Sequence, residues 1–117
     1  MIQTRDAEGE TIPGNDRLSA LMAETAVDRP GAFDALVRAA LPLIRAAVCR
    51  RMGSRHAEAD DAVQDTLIAL YRARSEYDPR RPAAPWIARI AEQRALDRIR
   101  GLWRWTRKAS EFAGEFE

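Results

Sequence analysis

The stretch Asp60–Arg72, DDAVQDTLIALYR, has the pattern of one amphipathic helix with two contrasting faces. At 3.6 residues per turn, one face is apolar apart from a threonine, as expected for a side that packs on a core. The opposite face combines carboxylates, an amide and an arginine with one isoleucine. A solvated face has little reason to carry that isoleucine, so the pattern indicates a surface that contacts a partner. The core face consists of Val63, Thr66, Leu67 and Leu70, and the partner face of Asp61, Gln64, Asp65, Ile68 and Arg72.

The segments before this helix also have helical periodicity. A short helix is predicted over about 15–27, with asparagine and aspartate as caps at its start and DRPG at 28–31 to break it. A second helix is predicted over 32–52, ended by the glycine that follows. Pro42 lies inside this second helix. Because proline lacks a backbone donor, we expect it to kink the helix or to divide it in two.

The helix that contains the opening stretch is predicted to run from about 57 to 76. The next segment, YDPRRPAAP at 77–85, has three prolines and is predicted to be a loop. A fourth helix is predicted from Pro85 to about Trp105, weakened at Gly101. No segment has the period-two alternation of a strand. We therefore expect an all-α fold, a compact bundle of three main helices plus a short N-terminal helix.

Length and composition limit the organisation of the chain. With 117 residues and 46% hydrophobic residues, it has room for one domain with one core. We expect a disordered segment at 1–14, a helical domain at 15–104, and the start of a linker or a disordered tail at 105–117. The single cysteine, Cys49, excludes an internal disulfide and favours the reducing cytoplasm. No apolar run approaches the roughly 20 residues of a membrane helix, so no membrane insertion is expected.

The net charge of +1 hides an asymmetry along the chain. Residues 1–71 carry 8 basic and 11 acidic residues, net −3, whereas 72–107 carry 10 and 4, net +6. The last segment, 108–117, has 1 and 3, net −2. A basic segment on an otherwise acidic small domain is typical of proteins that bind phosphate backbones. The alternative is an arginine-rich surface that is simply solvated.

An acidic cluster near the start of the third helix raises the possibility of a metal or acid–base site. It consists of His56, Glu58, Asp60, Asp61 and Asp65. The helical spacing argues against a site, because Asp60 lies away from the face that Asp61 and Asp65 share, and no second ligand helix is present. No phosphate-binding loop or nucleophile elbow is found either. We therefore expect that the chain is not an enzyme and that it binds no metal and no cofactor. The rival interpretation is a metal-dependent hydrolase that uses this cluster, and it predicts that added metal raises the melting temperature of the protein.

The predicted fourth helix carries a polar, mostly basic stripe beside its core stripe. Arginine and glutamine suit contacts with phosphates and base edges. On spacing alone Trp86 fits a core anchor better than a nucleobase platform, and both interpretations stay open. Arg94 and Arg98 can pair with Asp97 or with the third helix. The stripe consists of Trp86, Arg89, Glu92, Gln93, Leu96 and Arg100, and the preceding loop adds Arg80 and Arg81.

Taken in order, these segments resemble region 2 of bacterial sigma factors of the extracytoplasmic-function (ECF) class, in the sigma-70 family. The resemblance covers about 32–100 and includes the FxxLV helix with its internal proline, DAVQDT, YDPRRP and WIARIAEQRALDRIR, all at matching spacing. It implies the all-α fold of that region. It also implies a module of a transcription initiation factor, which binds the RNA polymerase core and recognises and helps to melt the minus-ten promoter element.

The resemblance implies a role for the partner face of the third helix. In the family, an acidic and amide patch binds the clamp helices of the polymerase β′ subunit. The matching residues here are Asp61, Gln64 and Asp65, and Ile68 and Arg72 extend the same face.

The resemblance also implies where promoter DNA binds. In the family, the loop before the tryptophan helps to hold a base flipped out of the non-template strand, and the following helix meets the fork in the duplex. Family members commonly have a basic residue and then asparagine where this chain has Glu92 and Gln93, so their base preference is not transferred. A carboxylate there would repel phosphate or accept from a cytosine amine. The DNA-binding residues implied are Arg80, Arg81, Trp86, Arg89, Glu92, Gln93 and Arg100.

Two further expectations concern the regulatory partner of the chain and the domain that follows region 2 in the family. Anti-sigma factors are common partners of the ECF class and would cover the 61–72 face; a rival interpretation is a pure protein-interaction module without promoter contact. Such factors continue into a second, helix-turn-helix domain. Because this chain ends at Glu117, we expect an excised or truncated piece. Trp103 and Trp105 then pack on an absent partner or belong to a frayed helix end.

Overall fold

Four α-helices follow one another, and most of them end where the local sequence stops a helix. The computed structural model describes residues 15–53 and 56–114. The predicted all-α bundle of three main helices and a short N-terminal one is confirmed, and the residues predicted to be disordered, 1–14, lie outside the described residues. The helices are α1 (Asn15–Ala26), α2 (Ala32–Met52), α3 (Ala59–Arg72) and α4 (Ala83–Gly114), with a 3-10 turn at Arg74–Glu76.

Two of the predicted helix ends are confirmed by residues with a positive φ. After α1, Asp28 has φ +57° and Gly31 has φ +80°, so the DRPG segment turns the chain. At the end of α2, Gly53 has φ +90° and its N–H donates to the carbonyl of Cys49 at 2.8 Å. Glycine has no Cβ to clash in this conformation, which explains why the helix stops there.

Of the two effects expected from Pro42, a kink or a division of the helix, the division is wrong, because α2 is one continuous helix. Pro42 is exposed, while Ala40 and Ile44 on either side of it are fully buried. Packing of both halves on the same core therefore outweighs the backbone hydrogen bond that proline cannot make.

The core lies where one face of each helix meets the others, and α2 and α4 share the most extensive contact. Burying a large aliphatic side chain stabilises the fold by about 1.5–3 kcal/mol. Alanines on α4, Ala91 and Ala95, are fully buried and let the helices approach closely. The largest fully buried apolar side chains are Met22, Leu36, Ile44, Val48, Leu70 and Ile87.

The core face of α3 is as predicted. Val63, Thr66 and Leu70 are buried, and Leu67 is partly buried. The Thr66 hydroxyl donates to the carbonyl of Ala62 at 2.8 Å, which satisfies the polar atom inside the core. The helix ends at Arg72 rather than at 76, and the 3-10 turn follows it.

Helix α4 is longer than predicted at both ends. It begins at Ala83, because the Ala83 N–H donates to the Ser19 hydroxyl of α1 at 3.0 Å. It continues through Gly101 to Gly114, whereas we predicted an end at about Trp105. From Trp103 onward every side chain that the structure describes is exposed, so the end of α4 projects from the bundle. That residues 105–117 begin a linker stays a prediction.

Candidate functional site

The partner face of α3 is mostly open to solvent. Ile68 is 51% exposed, and Asp61, Gln64 and Arg72 are exposed around it. A cleft of about 590 Å³ lies beside this face and is lined by side chains of both α3 and α4, including Ile68, Arg72 and Arg94. An apolar residue within a polar rim, next to a cleft, is an arrangement that can dock another protein.

Asp65 differs from the rest of this face because Arg98 of α4 holds its carboxylate. Arg98 donates to the two oxygens of Asp65 at 2.7 and 3.2 Å and to Glu58 at 2.9 Å, and its Nη1 lies 3.8 Å from Asp61. These acceptors raise the pKa of Arg98; the hydrogen bond to Asp65 contributes most. Of the two pairings expected for Arg98, the one with the third helix is formed, and Asp65 joins α3 to α4.

The rest of the acidic cluster has separate partners. His56 Nδ1 accepts the N–H of Glu58 at 3.0 Å, next to the start of α3. Asp60 pairs with Arg45 of α2 at 3.1 Å. Within the described ranges, 15–53 and 56–114, no group of three or more His, Cys, Asp or Glu side chains is arranged to hold a metal ion. The cluster connects helices to each other and to their termini.

We expect an Arg98→Met variant to fold but to be less stable. Methionine keeps most of the apolar stem and removes a charged, bidentate link between helices, which costs about 1–2 kcal/mol after solvent screening. Such a loss lowers Tm by about 4–8 °C for each kcal/mol in a domain of this size. Arg38→Met is the matched control for thermal melts, since Arg38 pairs with Asp34 of the same helix, on an exposed face. Equal Tm values for the two variants would contradict the inter-helix role of Arg98.

The loop between the 3-10 turn and α4 has a fixed internal geometry. The hydroxyl of the buried Tyr77 donates to the carbonyl of Arg81 at 2.6 Å. The Asp78 carboxylate accepts from the backbone N–H of Arg80 at 2.9 Å and from its guanidinium at 3.1 Å. The side-chain hydrogen bond with Arg80, followed by the backbone one, lowers the pKa of Asp78. The pairing is therefore complete at neutral pH and is lost only as pH falls through that lowered pKa.

A pocket of about 470 Å³ lies between this loop and the first turns of α4. The Trp86 ring packs against Tyr77 with centroids 5.3 Å apart and an angle of 49° between the planes. Trp86 is partly buried against the core and also lines the pocket, so it has features of both interpretations left open above. The pocket is lined by Glu76, Tyr77, Asp78, Arg81, Pro82, Pro85, Trp86 and Arg89.

The structure places the other predicted DNA-binding residues along α4 and in the loop. Arg89, Gln93 and Arg100 are exposed. Arg80 is exposed as well but does not line the pocket.

Glu92 is not the free carboxylate that was expected to repel phosphate or to accept from a cytosine amine. Two arginines at the end of α2 bind it, Arg50 at 3.2 Å and Arg51 at 3.6 Å. These three side chains together carry a net positive charge, so Glu92 does not present an isolated negative charge to a phosphate. Arg50 and Arg51 were missed by the sequence analysis, because no local pattern connects residues 42 positions apart in the chain.

Tyr77 was also missed as a residue of the candidate site, although an aromatic residue at the start of the proline-rich loop was a visible signal in the sequence.

Among the residues described, no helix is long and apolar enough to cross a bilayer.

Comparison with known proteins gives a consistent result. The family model "Sigma-70 region 2" matches residues 36–105. The RNA polymerase sigma factor CnrH of Cupriavidus metallidurans is 38% identical over 88 residues, which is 74% of this chain and 43% of CnrH. A solved NMR structure, an engineered region 2 of sigmaE in complex with GTAAAA, matches with a TM-score of 0.67 and 26% identity, over 74% of this chain and 90% of that one. This chain spans less than half the length of CnrH.

Proposed function

This chain belongs to the Sigma-70 region 2 family, and on that premise we propose that it is the polymerase-binding and minus-ten-recognising module of an ECF sigma factor. The observation that carries the proposal is the pocket of about 470 Å³ whose lining combines the packed Tyr77–Trp86 pair with the side chains of Arg81 and Arg89, beside the carboxylates of Glu76 and Asp78. A single nucleobase is the ligand that such a pocket suits, since it offers an aromatic surface for stacking and cations for the backbone.

The partner face of α3 is the proposed docking surface for the β′ clamp helices. Asp61, Gln64 and Arg72 can make polar contacts, and Ile68 supplies the apolar centre. Asp65 belongs to the same surface in this proposal but acts while bound to Arg98, which limits its freedom to move. Helical partners are commonly held by an apolar strip within a polar rim.

The pocket is the proposed site for a base extruded from the non-template strand. Flipping a base costs a few kcal/mol of unstacking and unpairing. Stacking on an aromatic side chain returns about 1–3 kcal/mol per base, and backbone contacts from Arg80 and Arg81 add to this. In this proposal Arg89, which lines the pocket, and Gln93 and Arg100, which lie further along α4, face the fork. Glu92 binds Arg50 and Arg51 of α2 and so brings two more cations to α4.

The proposed role is recognition and strand capture, without covalent chemistry by this chain and without a cofactor. The module then acts with RNA polymerase in the cytoplasm. An anti-sigma factor is the proposed regulatory partner; by covering the 61–72 face, it would exclude the clamp helices.

Crosslinking to forked promoter DNA tests the proposal against the pure protein-interaction module. A fork with a photoreactive base in its single-stranded non-template arm is expected to crosslink to the peptide that spans 77–89. The fully duplex version of the same sequence is the control and is expected to crosslink weakly. If β′ binding is intact but no crosslink to the fork is detected, promoter recognition by this chain is refuted.

A Tyr77→Phe variant is expected to bind a single-stranded minus-ten oligonucleotide about three- to tenfold more weakly, because one hydrogen bond that orders the loop is lost. The ring remains, so its packing against Trp86 is preserved. The slope of log affinity against log salt is expected to stay unchanged, since no cation is removed. Fluorescence anisotropy at several salt concentrations measures both quantities. An unchanged affinity would show that the hydroxyl does not support the loop.

A further inference from the structure

The side chain of Arg74, in the 3-10 turn after α3, is held by three separate contacts. Its Nε donates to the Asp28 carboxylate at 2.8 Å, and its Nη1 donates to the carbonyl of Tyr71 at 2.8 Å. Its guanidinium carbon lies 3.9 Å from the centroid of the Tyr71 ring, which is a cation–π contact. Only 24% of the side chain is exposed. A long and flexible side chain is therefore fixed in one conformation.

The backbone of Arg74 contacts the residue at which the loop 77–85 begins. The N–H of Tyr77 donates to the carbonyl of Arg74 at 3.4 Å, and the N–H of Glu76 donates to that of Ala73 at 2.9 Å. Tyr77 is the buried ring that packs against Trp86, and its hydroxyl binds the loop. The position of Arg74 therefore sets where the Tyr77 ring lies in the pocket of about 470 Å³.

Asp28, the partner of Arg74, belongs to a part of the chain that forms no wall of this pocket. It lies in the turn between α1 and α2, 46 positions before Arg74, and has φ +57°. Besides glycine, asparagine and aspartate are the residues that adopt this left-handed conformation most readily. Neither Asp28 nor Arg74 lines the pocket. An effect of Asp28 on the pocket is therefore transmitted through Arg74 and the loop.

We propose that Arg74 is a positioning residue for strand capture: bound by Asp28, it fixes the 3-10 turn so that Tyr77 and the loop are in place before a base enters the pocket. This inference rests on the proposed function, which assigns an extruded base to this pocket. A preformed site binds more tightly, because less conformational entropy is lost on binding. The benefit concerns the single strand and not the β′ clamp helices, which dock on α3.

An Asp28→Asn variant separates this role from a simple effect of charge. Asparagine has nearly the same shape and tolerates the left-handed backbone, but it cannot form the ion pair. Removal of a negative charge alone should tighten the binding of a polyanion, whereas loss of the positioning contact should weaken it. We expect a single-stranded minus-ten oligonucleotide to bind about threefold more weakly in anisotropy titrations, as for the loss of an exposed ion pair.

Asp34→Asn is the matched control, because it makes the same chemical change in the first turn of α2. The Asp34 side chain is 68% exposed and pairs with Arg38 of its own helix. This variant is expected to bind the oligonucleotide no more weakly than the parent chain.

An Arg74→Met variant distinguishes positioning from a direct phosphate contact. We expect about fivefold weaker binding of the oligonucleotide with an unchanged salt slope, whereas loss of a phosphate contact would lower the slope by about 0.7 for a single strand. Addition of Asp28→Asn to this variant is expected to cause no further loss, since both residues act through one contact. Binding of the β′ fragment by Asp28→Asn is expected to equal that of the parent chain.

Three results would overturn the inference. If folded Asp28→Asn and Arg74→Met proteins have a lower Tm but bind the oligonucleotide as the parent does, the pair only stabilises the fold. A reduced salt slope for Arg74→Met would make Arg74 a phosphate contact. An equal loss of β′ binding by Asp28→Asn would indicate a general disturbance. In each case binding of the oligonucleotide by the parent leaves the proposed function standing. If the parent binds no oligonucleotide at all, the proposed function fails and the inference fails with it.

Discussion

An Asp61→Arg variant is expected to bind a β′ clamp-helix fragment more than tenfold more weakly than the parent chain. Asp61 is exposed on the same face as Ile68, so the substitution reverses a charge at the rim of the proposed interface. Placing like charges against each other across an interface costs several kcal/mol, and 1.4 kcal/mol already corresponds to about tenfold in affinity. Titration of a fluorescently labelled β′ fragment measures the change. Gln64→Ala removes only a neutral side chain and is expected to cause a smaller loss.

Asp60→Arg is the matched control, since it makes the same charge change one position earlier. The Asp60 side chain is 85% exposed but pairs with Arg45 of α2, away from the partner face. The affinity of the Asp60→Arg variant for the β′ fragment is expected to stay within about twofold of the parent chain's affinity, as for other surface substitutions outside a contact. Circular dichroism and thermal melts are needed for both variants, because Asp61 also lies 3.8 Å from Arg98. Full-strength binding by a folded Asp61→Arg protein would refute docking on this face.

Local sequence signals predicted most of the fold. The apolar spacing that buries Val63 and Leu70 is a property of one helix, and the glycine at position 53 stops α2 by its own backbone conformation. Where prediction failed, contacts between distant residues decided the outcome. Ser19 of α1 extends α4 to Ala83, and Arg74, in the 3-10 turn that replaces the last predicted turn of α3, is bound by Asp28 at 2.8 Å.

The failure to predict how far α4 extends at its C-terminal end has a different explanation. Gly101 costs a helix about 1 kcal/mol relative to alanine, and most of the residues that follow are adequate helix formers. One glycine was therefore too weak a signal to end the helix near Trp105.

For the candidate site, the sequence predicted which side chains share a helix face but not which contacts they make. Periodicity placed Asp61, Gln64 and Ile68 on one face, and their exposure agrees with that. It offered no way to know that Asp65 is held by Arg98, or that Glu92 is held from α2. Both pairings join helices whose relative position depends on the packed core, so they follow only once the fold is known.

The double variant Arg80→Ala/Arg81→Ala is expected to bind a single-stranded minus-ten oligonucleotide more than tenfold more weakly at low salt. Both side chains are largely exposed, and the loss of two phosphate contacts should reduce the salt slope by about 1.4 for a single strand. The loop should keep its shape, because Tyr77 binds the backbone carbonyl of residue 81, which alanine retains. Anisotropy titrations over a range of salt concentrations test both expectations, with Arg38→Ala as an arginine control on α2.

The two arginines are not expected to contribute equally. The Asp78 carboxylate binds the guanidinium of Arg80 at 3.1 Å but lies 3.9 Å from that of Arg81. Arg80 must therefore exchange a carboxylate for a phosphate, whereas Arg81 gives up much less, so Arg81→Ala alone should cost more affinity than Arg80→Ala alone. Asp78→Asn should tighten binding, since it releases Arg80 and removes a negative charge beside the strand. Equal affinity for the oligonucleotide with both arginines removed would refute strand capture by this loop.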